Sequence, residues 1–151
     1  MADVVDARTR SRMMSGIRDK NTKPELAIRR GLHALGFRYR LHPKDIPGKP
    51  DLWLPRYKAA IFVNGCFWHG HDCSQFKLPG TRQEFWKTKI ERNRARDARV
   101  EELLTARGLR RLDIWECALR GPGRIGLNET LFRTAEWLRG EDVRRIIRGT
   151  Q

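Results

Sequence analysis

The sequence predicts a single α/β domain in which helices pack on a mixed β-sheet. The chain has 151 residues, which is about the length of one ordinary domain with one hydrophobic core. No internal repeat or linker divides it. Segments with helical periodicity alternate with short apolar segments, in the order helix, three strands, helix, strand and helix. This alternation is typical of an α/β domain.

The amino-terminal half contains an arm, a helix and three strands. Residues 1–21 are polar and basic, which predicts a mobile arm or a marginal short helix. Thr22 is a plausible N-cap, and the periodic apolar residues from there to Gly36 predict a helix. Short strands are expected at "FRYRLH", "DLWLP" and "KAAIFVN". The last of these is nearly all apolar and is therefore expected at the centre of the sheet.

The carboxy-terminal half adds two helices and a strand. A long basic helix is expected at "TRQEFWKTKIERNRARDARVEELLTARG", which is rich in helix formers and ends at a glycine. A strand is expected at "LRRLDIWE", followed by a helix at "NETLFRTAEWLRG" with Leu131, Trp137 and Leu138 on its apolar side. We therefore expect one domain at 22–140 and a carboxy-terminal tail at 141–151.

The composition indicates a polyanionic partner. The chain has 32 Lys and Arg against 18 Asp and Glu, for a net charge of +14. Such a charge favours nucleic acid over a membrane surface, although it can also serve only solubility. No apolar segment approaches the ~20 residues of a membrane span, and the amino terminus lacks the apolar stretch of a secretory signal. We expect a soluble cytoplasmic protein.

Cysteine and histidine are concentrated in one short segment. Two of the three cysteines and two of the four histidines lie within residues 66–73. An odd number of cysteines in a reducing compartment favours metal binding or catalysis over disulfides. Cys66 and Cys117 follow different predicted strands, so adjacent strand ends can assemble a structural zinc site from Cys66, His71, Cys73 and Cys117. The alternative is that the cysteines are small buried side chains.

One histidine and two carboxylates are candidates for catalysis. His69 can take a proton from water or give one to a leaving group; alternatively, it replaces His71 as a ligand or is a solvated loop residue. Asp51, between a proline and a strand, is typical of nucleases that hold Mg²⁺ near a scissile phosphate, although Pro-Asp more commonly forms a turn. Glu25 stands three residues after Thr22, and a capping box explains it without catalysis.

Aromatic residues near these candidates suggest contact with DNA bases. Phe67 and Trp68 in the loop, with Trp86 on the following helix, can be wedges that enter a base stack. Core packing is the alternative for each of them. Trp86 lies at helical spacing from three polar residues, the cation Lys89, the amide Asn93 and the carboxylate Asp97. Such a mixture on one helix face suits a binding face.

These segments together resemble a known family. The sequence resembles the bacterial very-short-patch repair (Vsr) endonucleases, which nick DNA beside a T:G mismatch left by deamination of 5-methylcytosine. The resemblance covers residues 1 to about 140. Its markers stand in the family order: "TRSRMM", "PGKPDLWL", "GCFWHGHDC", "TRQEFWKTKIERN" and "WECALRG". It implies a fold similar to that of restriction endonucleases, so that 22–140 would be an endonuclease domain.

The resemblance also implies roles for individual residues. Asp51 would ligate a catalytic Mg²⁺, Glu25 would hold water bound to that ion, and His69 would be the general acid-base group, oriented by Asp97. The four residues of the predicted zinc site match the structural zinc ligands. Six residues match DNA contacts, as the wedge (Phe67, Trp68 and Trp86) or near the mispaired bases (Met14, Lys89 and Asn93).

Three positions depart from the family pattern. The best known members have a histidine in place of Asn64, a threonine in place of Val63 and a histidine in place of Gly70. An asparagine cannot transfer protons, so an acid-base role does not carry over to position 64. A valine still offers its backbone carbonyl to a metal. Because Asp51 and His69 remain, we expect activity to survive.

The leading hypothesis is therefore a Mg²⁺-dependent, strand-specific nicking enzyme of mismatch repair, cutting 5′ to the mispaired thymine. It would act as a monomer on mismatched double-stranded DNA of the bacterial nucleoid; whether MutL is a partner stays open. One alternative is a related endonuclease with a different mismatch specificity or a defence role. The other is a non-catalytic, zinc-stabilised DNA-binding protein.

Overall fold

A computed structural model describes residues 21–150 of the chain. Residues 1–20 of the predicted arm, with Met14, lie outside the described residues. The described part has three helices, α1 (Lys23–Ala34), α2 (Gln83–Ala106) and α3 (Leu127–Arg139). Its strands are β1 (Arg40–Leu41), β2 (Leu52–Leu54), β3 (Ala59–Asn64), β4 (Arg110–Trp115) and β5 (Arg144–Ile147).

The five strands form one mixed sheet in the order β1-β2-β3-β4-β5. The first three strands pair antiparallel, and β3, β4 and β5 pair parallel. The predicted central position of β3 is confirmed. The parallel pairs are connected through α2 and α3, since parallel neighbours need a crossover connection.

Helices cover both faces of the sheet. On one face, Ile28 and Leu32 of α1 and Trp137 and Leu138 of α3 pack on the alternate residues of β2, β3, β4 and β5. On the other face, Val100 and Leu104 of α2 pack on the opposite set of side chains, with Trp53 and Ala60. This two-sided burial explains why β3 is nearly all apolar. The predicted α/β domain is confirmed.

The ends of the helices follow their sequence signals. The Thr22 side chain caps α1 by accepting a hydrogen bond from the Glu25 backbone N–H, and the Glu25 carboxylate reaches back to accept one at 2.8 Å from the N–H of Asn21, the residue before the cap. Gly36 and Gly108 have φ values of +98° and +69° just beyond α1 and α2, a left-handed conformation that glycine adopts without strain. None of the described helices has the length and apolarity needed to cross a bilayer.

Two strands differ from expectation. The predicted strand "FRYRLH" is reduced to Arg40 and Leu41. It ends before His42, whose φ of +47° leaves the extended conformation. The segment 141–151, expected as a tail, contains β5, which pairs with β4 at the edge of the sheet.

Candidate active site and metal-binding clusters

The site lies where β3 and β4 end. These strands run parallel with Asn64 beside Trp115, so the segments that leave them start side by side. Cys66 follows β3 and Cys117 follows β4. The Cys66 backbone N–H donates to the Glu116 carboxylate at 3.3 Å, which ties the two segments together. The expectation that adjacent strand ends bring these cysteines together is confirmed.

Four side chains at this point form a cluster that can hold a metal ion: Cys66, His71, Cys73 and Cys117, with ligand atoms all within 4.8 Å of one another. His71 Nδ1 lies 3.6 Å from Cys66 Sγ and 3.7 Å from Cys117 Sγ. Sulfur and nitrogen ligands of a tetrahedral metal are about 3.6 Å apart when the bonds are about 2.3 and 2.1 Å long. The two separations from His71 Nδ1 therefore match those around a tetrahedral ion.

The surroundings of this Cys/His cluster orient its ligands. The His71 ring stacks on Trp115 with centroids 3.9 Å apart. The Gly149 backbone N–H donates to Cys117 Sγ at 3.3 Å. A Cβ at Gly149 would lie 2.2 Å from the Cys117 carbonyl oxygen, so only glycine allows this approach. The segment after β5 thus covers the cluster.

Burial also sets the protonation of the cluster. It raises the pKa values of the Cys66 and Cys117 thiols and lowers the pKa of His71. Each shift disfavours the charged form in a region of low dielectric. Without a metal these thiols are protonated at neutral pH, so metal binding releases protons and weakens as the pH falls.

A second group that can hold a metal ion contains two carboxylates: Glu25, His42 and Asp51, again with ligand atoms within 4.8 Å of one another. Glu25 is 1% exposed and Asp51 is 8% exposed. Asp51 immediately precedes β2, and its Oδ2 accepts the Val63 backbone N–H at 2.6 Å. Asp51 is thereby attached to the end of β3, next to the loop of residues 66–73.

Helix α2 holds that loop in place. Arg94 donates to the backbone carbonyls of His69 and Gly70, and Asn93 donates to the Trp68 carbonyl at 2.8 Å. Gly70 has a φ of +59°, and a Cβ there would lie 2.6 Å from Ile90 of the helix. The left-handed backbone and the close approach to the helix both suit a glycine at this position.

His69 is oriented by a carboxylate of the same helix. Its Nδ1 lies 2.5 Å from Asp97 Oδ2, and 23% of its side chain is exposed. An ionised carboxylate can only accept, so Nδ1 carries the proton and Nε2 keeps a lone pair in the neutral ring. Asp97 is fixed in turn, because Arg111 donates to its backbone carbonyl at 3.2 Å.

Asn64 belongs to a network inside the fold. Its amide donates to Asp113 at 2.9 Å, and Asp113 makes a bidentate ion pair with Arg111 at 2.9 and 3.0 Å. Asn64 therefore helps to place Arg111, which supports the helix at Asp97. The structure gives position 64 a positioning contact at the site.

The three proposed wedge residues form an aromatic cluster of their own. Phe67 lies 5.1 Å from Trp68 and 5.4 Å from Trp86, and the two tryptophans are 5.8 Å apart between centroids. All three are partly exposed, and none belongs to either hydrophobic core of the described chain. Lys89 Nζ lies 5.6 Å from the Trp68 ring. The core alternative is therefore disfavoured.

The long helix also presents cationic residues to solvent. Its exposed Lys and Arg side chains are Lys87, Lys89, Arg92, Arg94, Arg96 and Arg99. They lie on the helix that carries Trp86, Asn93 and Asp97, and so flank both the aromatic cluster and His69. Cations in this arrangement suit the phosphates of a nucleic acid backbone.

Sequence reasoning missed His42. The strand predicted at "FRYRLH" ends with this residue, and its only signal is its position nine residues before Asp51. The grouping with Glu25 and Asp51 is visible only once α1, β2 and the segment after β1 are placed together.

Comparison with known proteins shows the family of the chain. The family described as DNA mismatch endonuclease Vsr matches residues 2–75. The DNA mismatch endonuclease Vsr of Escherichia coli is 42% identical over 141 residues, which cover 93% of this chain and 90% of that protein. The type II nicking enzyme V.XorIIP of Xanthomonas oryzae is 46% identical over 125 residues, or 83% of this chain and 92% of that protein. With such similarity over nearly the whole of both relatives, the chain belongs to the Vsr family of DNA mismatch endonucleases.

Proposed function

We propose that this chain nicks one strand of duplex DNA on the 5′ side of the thymine in a T:G mismatch, with Mg²⁺, in very-short-patch repair. As a Vsr family member it is a DNA endonuclease. The observation that carries the proposal is the convergence of Asp51, His69 and the aromatic cluster at the end of β3. The Asp51 carboxylate accepts a hydrogen bond from Val63 at that strand end. His69 and two of the aromatic residues lie in the loop that follows β3, and Trp86 and Asp97 lie on α2, which contacts that loop.

Asp51 would hold Mg²⁺, and Glu25, which the family resemblance assigns to a water bound to that ion, has a carboxylate oxygen close enough to be a second ligand. Carboxylate oxygens are the preferred protein ligands of Mg²⁺, and both side chains are buried and oriented by backbone N–H groups, those of Val63 and Asn21. Bound there, the ion would stabilise the charge on attacking and leaving oxygens during in-line displacement.

His69 is the proton-transfer group of this proposal. With Nδ1 held by Asp97, Nε2 of this partly exposed ring can take a proton from attacking water or give one to the leaving oxygen. Asp97 keeps the ring in the required tautomer and stabilises its charged form. The backbone contacts of Arg94 and Asn93 fix the loop on either side of this ring.

Replacing His69 tests this role. We expect His69→Gln to lower the single-turnover nicking rate by about 10²- to 10⁴-fold, because general acid-base catalysis contributes about that much. Asp97→Asn should lower the rate less, and adding it to His69→Gln should have little further effect, since both act through one imidazole. Rapid-quench kinetics on the three variants measures these rates. A normal rate for His69→Gln would assign His69 to structure, whereas additive losses would show that Asp97 does not act through it.

The aromatic cluster is the proposed wedge. Inserting rings between base steps costs a few kcal/mol of unstacking, and a mismatched step costs less to open than a paired one. Discrimination then comes partly from the ease of deformation, while Lys89 and Asn93 lie at the cluster to contact the opened bases.

Removing the wedge should affect mismatch nicking more than binding. We expect Trp68→Ala and Trp86→Ala to reduce nicking of mismatched duplex strongly while nonspecific DNA affinity changes little, because that affinity comes from phosphate contacts. Trp137→Ala is the matched control: Trp137 is 1% exposed, and its loss should cost about 3–5 kcal/mol of unfolding free energy. Thermal melting, filter binding and nicking on all three variants decide the matter. Melting losses for Trp68→Ala as large as that of the control would reject the wedge.

The Cys/His cluster is proposed as a structural zinc site. Thiolate and imidazole donors in tetrahedral arrangement favour zinc over harder cations. Four protein ligands close the coordination sphere, so the ion would hold the loop and leave catalysis to His69 and the carboxylates.

A substrate panel separates the proposal from its alternatives. Duplexes carrying T:G, each other mismatch or a normal pair are incubated with the full chain, with and without Mg²⁺. The proposal predicts Mg²⁺-dependent nicking that is fastest on T:G. Faster nicking of another mismatch or of paired DNA would support a related specificity, and binding without nicking would support a non-catalytic protein.

A further inference from the structure

The partly buried imidazole of His42 lies between two carboxylates. Its Nε2 is 3.0 Å from Glu25 Oε2 and 3.6 Å from Asp51 Oδ1. Only 20% of its side chain is exposed. Glu25 itself is held by Arg29 at 3.1 Å. The carboxylates of Glu25 and Asp51 and the imidazole of His42 offer ligand atoms within 4.8 Å of one another, an arrangement that can hold a cation.

The Nε2 atom of His42 makes no hydrogen bond to any described residue, although it is buried. The 3.0 Å separation from Glu25 Oε2 is short enough for a hydrogen bond. The angle therefore prevents one, because the nitrogen points past the carboxylate oxygen in the plane of the ring. A buried polar atom without a hydrogen bond costs about 1–3 kcal/mol. A cation shared with the carboxylates would remove that cost, because the nitrogen lone pair would then point at the ion.

The backbone at His42 is strained as well. Its φ of +47° lies in the left-handed region, which costs a residue with a side chain about 1–2 kcal/mol. Such strain persists where the surroundings require it, and it clusters at functional sites. Here it turns the imidazole away from the line of β1 and toward Glu25 and Asp51.

The separations suit a six-coordinate ion. Adjacent ligands of an octahedral ion are about 3.0 Å apart when the bonds are about 2.1 Å long. The distance from His42 to Glu25 equals this value, and the distance to Asp51 corresponds to a wider angle. Imidazole is a ligand of transition metals, whereas Mg²⁺ prefers oxygen.

We propose that His42 is a third protein ligand of the divalent cation at Glu25 and Asp51, and that this mixed centre binds Mn²⁺ more tightly than Mg²⁺. The inference rests on the proposed function, because it adds a residue to the same catalytic centre. It also gives this chain an active-site imidazole besides His69, although position 64 is an asparagine.

Electron paramagnetic resonance of Mn²⁺ tests the proposal without relying on activity. The full, zinc-loaded chain is titrated with Mn²⁺ in competition with Mg²⁺, and pulsed spectra of the bound ion are examined for coupling to a directly bound imidazole ¹⁴N. Mn²⁺ binds such ligands more weakly than Zn²⁺ and should leave the Cys/His cluster occupied. His33→Gln is the matched control, since His33 is exposed on α1, and melting temperature and zinc content verify the fold of each variant.

We expect nitrogen coupling in the wild type and in His33→Gln, and its loss in His42→Gln. Mn²⁺ affinity of His42→Gln should fall at least about tenfold, since even outer-shell changes cost about 10- to 100-fold. A wild-type spectrum without nitrogen coupling, or coupling that persists in His42→Gln, would overturn the proposal. The wild-type spectrum decides even if the variant misfolds. Nicking is assayed on the same samples: wild type that nicks T:G without nitrogen coupling refutes the His42 ligand alone, whereas failure to nick counts against the proposed function.

Discussion

Asp51→Asn should abolish nicking while leaving the protein folded and able to bind DNA. Loss of one carboxylate charge at the proposed Mg²⁺ site removes stabilisation of several kcal/mol in the transition state, which corresponds to a rate loss of at least about 10³-fold. The amide keeps an oxygen that can accept the Val63 N–H, so the link between β2 and β3 should survive. Single-turnover nicking with Mg²⁺ measures the effect.

Asp45→Asn provides the control for Asp51→Asn. Asp45 is an exposed carboxylate, paired with Arg40 at 3.3 Å, and its loss should leave the nicking rate nearly unchanged because surface pairs contribute little. DNA affinity should be retained in both variants, since phosphate contacts supply most of it. Substantial Mg²⁺-dependent nicking by Asp51→Asn would remove this carboxylate from the metal site.

Loss of the Cys/His metal should unfold the protein. A structural zinc contributes about 10–16 kcal/mol of apparent binding free energy in small zinc domains, as much as the whole stability of an ordinary domain, about 5–15 kcal/mol. We expect one zinc per chain after purification without chelators, and a cooperative loss of structure on zinc chelation or in Cys117→Ser. Elemental analysis and circular dichroism measure both.

Zinc binding at the Cys/His cluster should depend on pH in a definite direction. Because burial raises the thiol pKa values of Cys66 and Cys117, protons compete with the metal increasingly as the pH falls, and zinc should be released on acidification. Removing Mg²⁺ alone should leave the protein folded. Zinc-free protein with native structure and melting temperature would contradict the structural role.

Local signals allowed the sequence to predict much of the site. Cys66 and Cys117 each follow an apolar strand, and the carboxyl ends of parallel neighbours meet at one edge of a sheet. The four-residue spacing from Lys89 to Asn93 and from Asn93 to Asp97 places them on one helix face, which is the face that contacts the loop. These inferences depended on periods along the chain and needed no tertiary information.

What the sequence did not predict depends on tertiary contacts. Strand β5 begins with Arg144 and Arg145, a poor strand pattern, but both arginines are satisfied by Glu101, Glu136 and Asp142, and β4 supplies the backbone partners. The His42 group joins three residues separated by nine or more positions, and its geometry depends on one left-handed residue. Neither β5 nor the His42 group produces a repeating pattern of residues along the chain from which it could be predicted.

The position of the nick tests the central proposal most directly. A duplex with a single T:G mismatch, labelled separately on each strand, is incubated with the full chain and Mg²⁺, and the products are sized on a denaturing gel against a sequence ladder. The account predicts one cut in the thymine-containing strand, immediately 5′ to the mispaired thymine, and much slower cutting of the matched T:A duplex. Cutting of both strands, cutting elsewhere, or equal rates on T:G and T:A would contradict it.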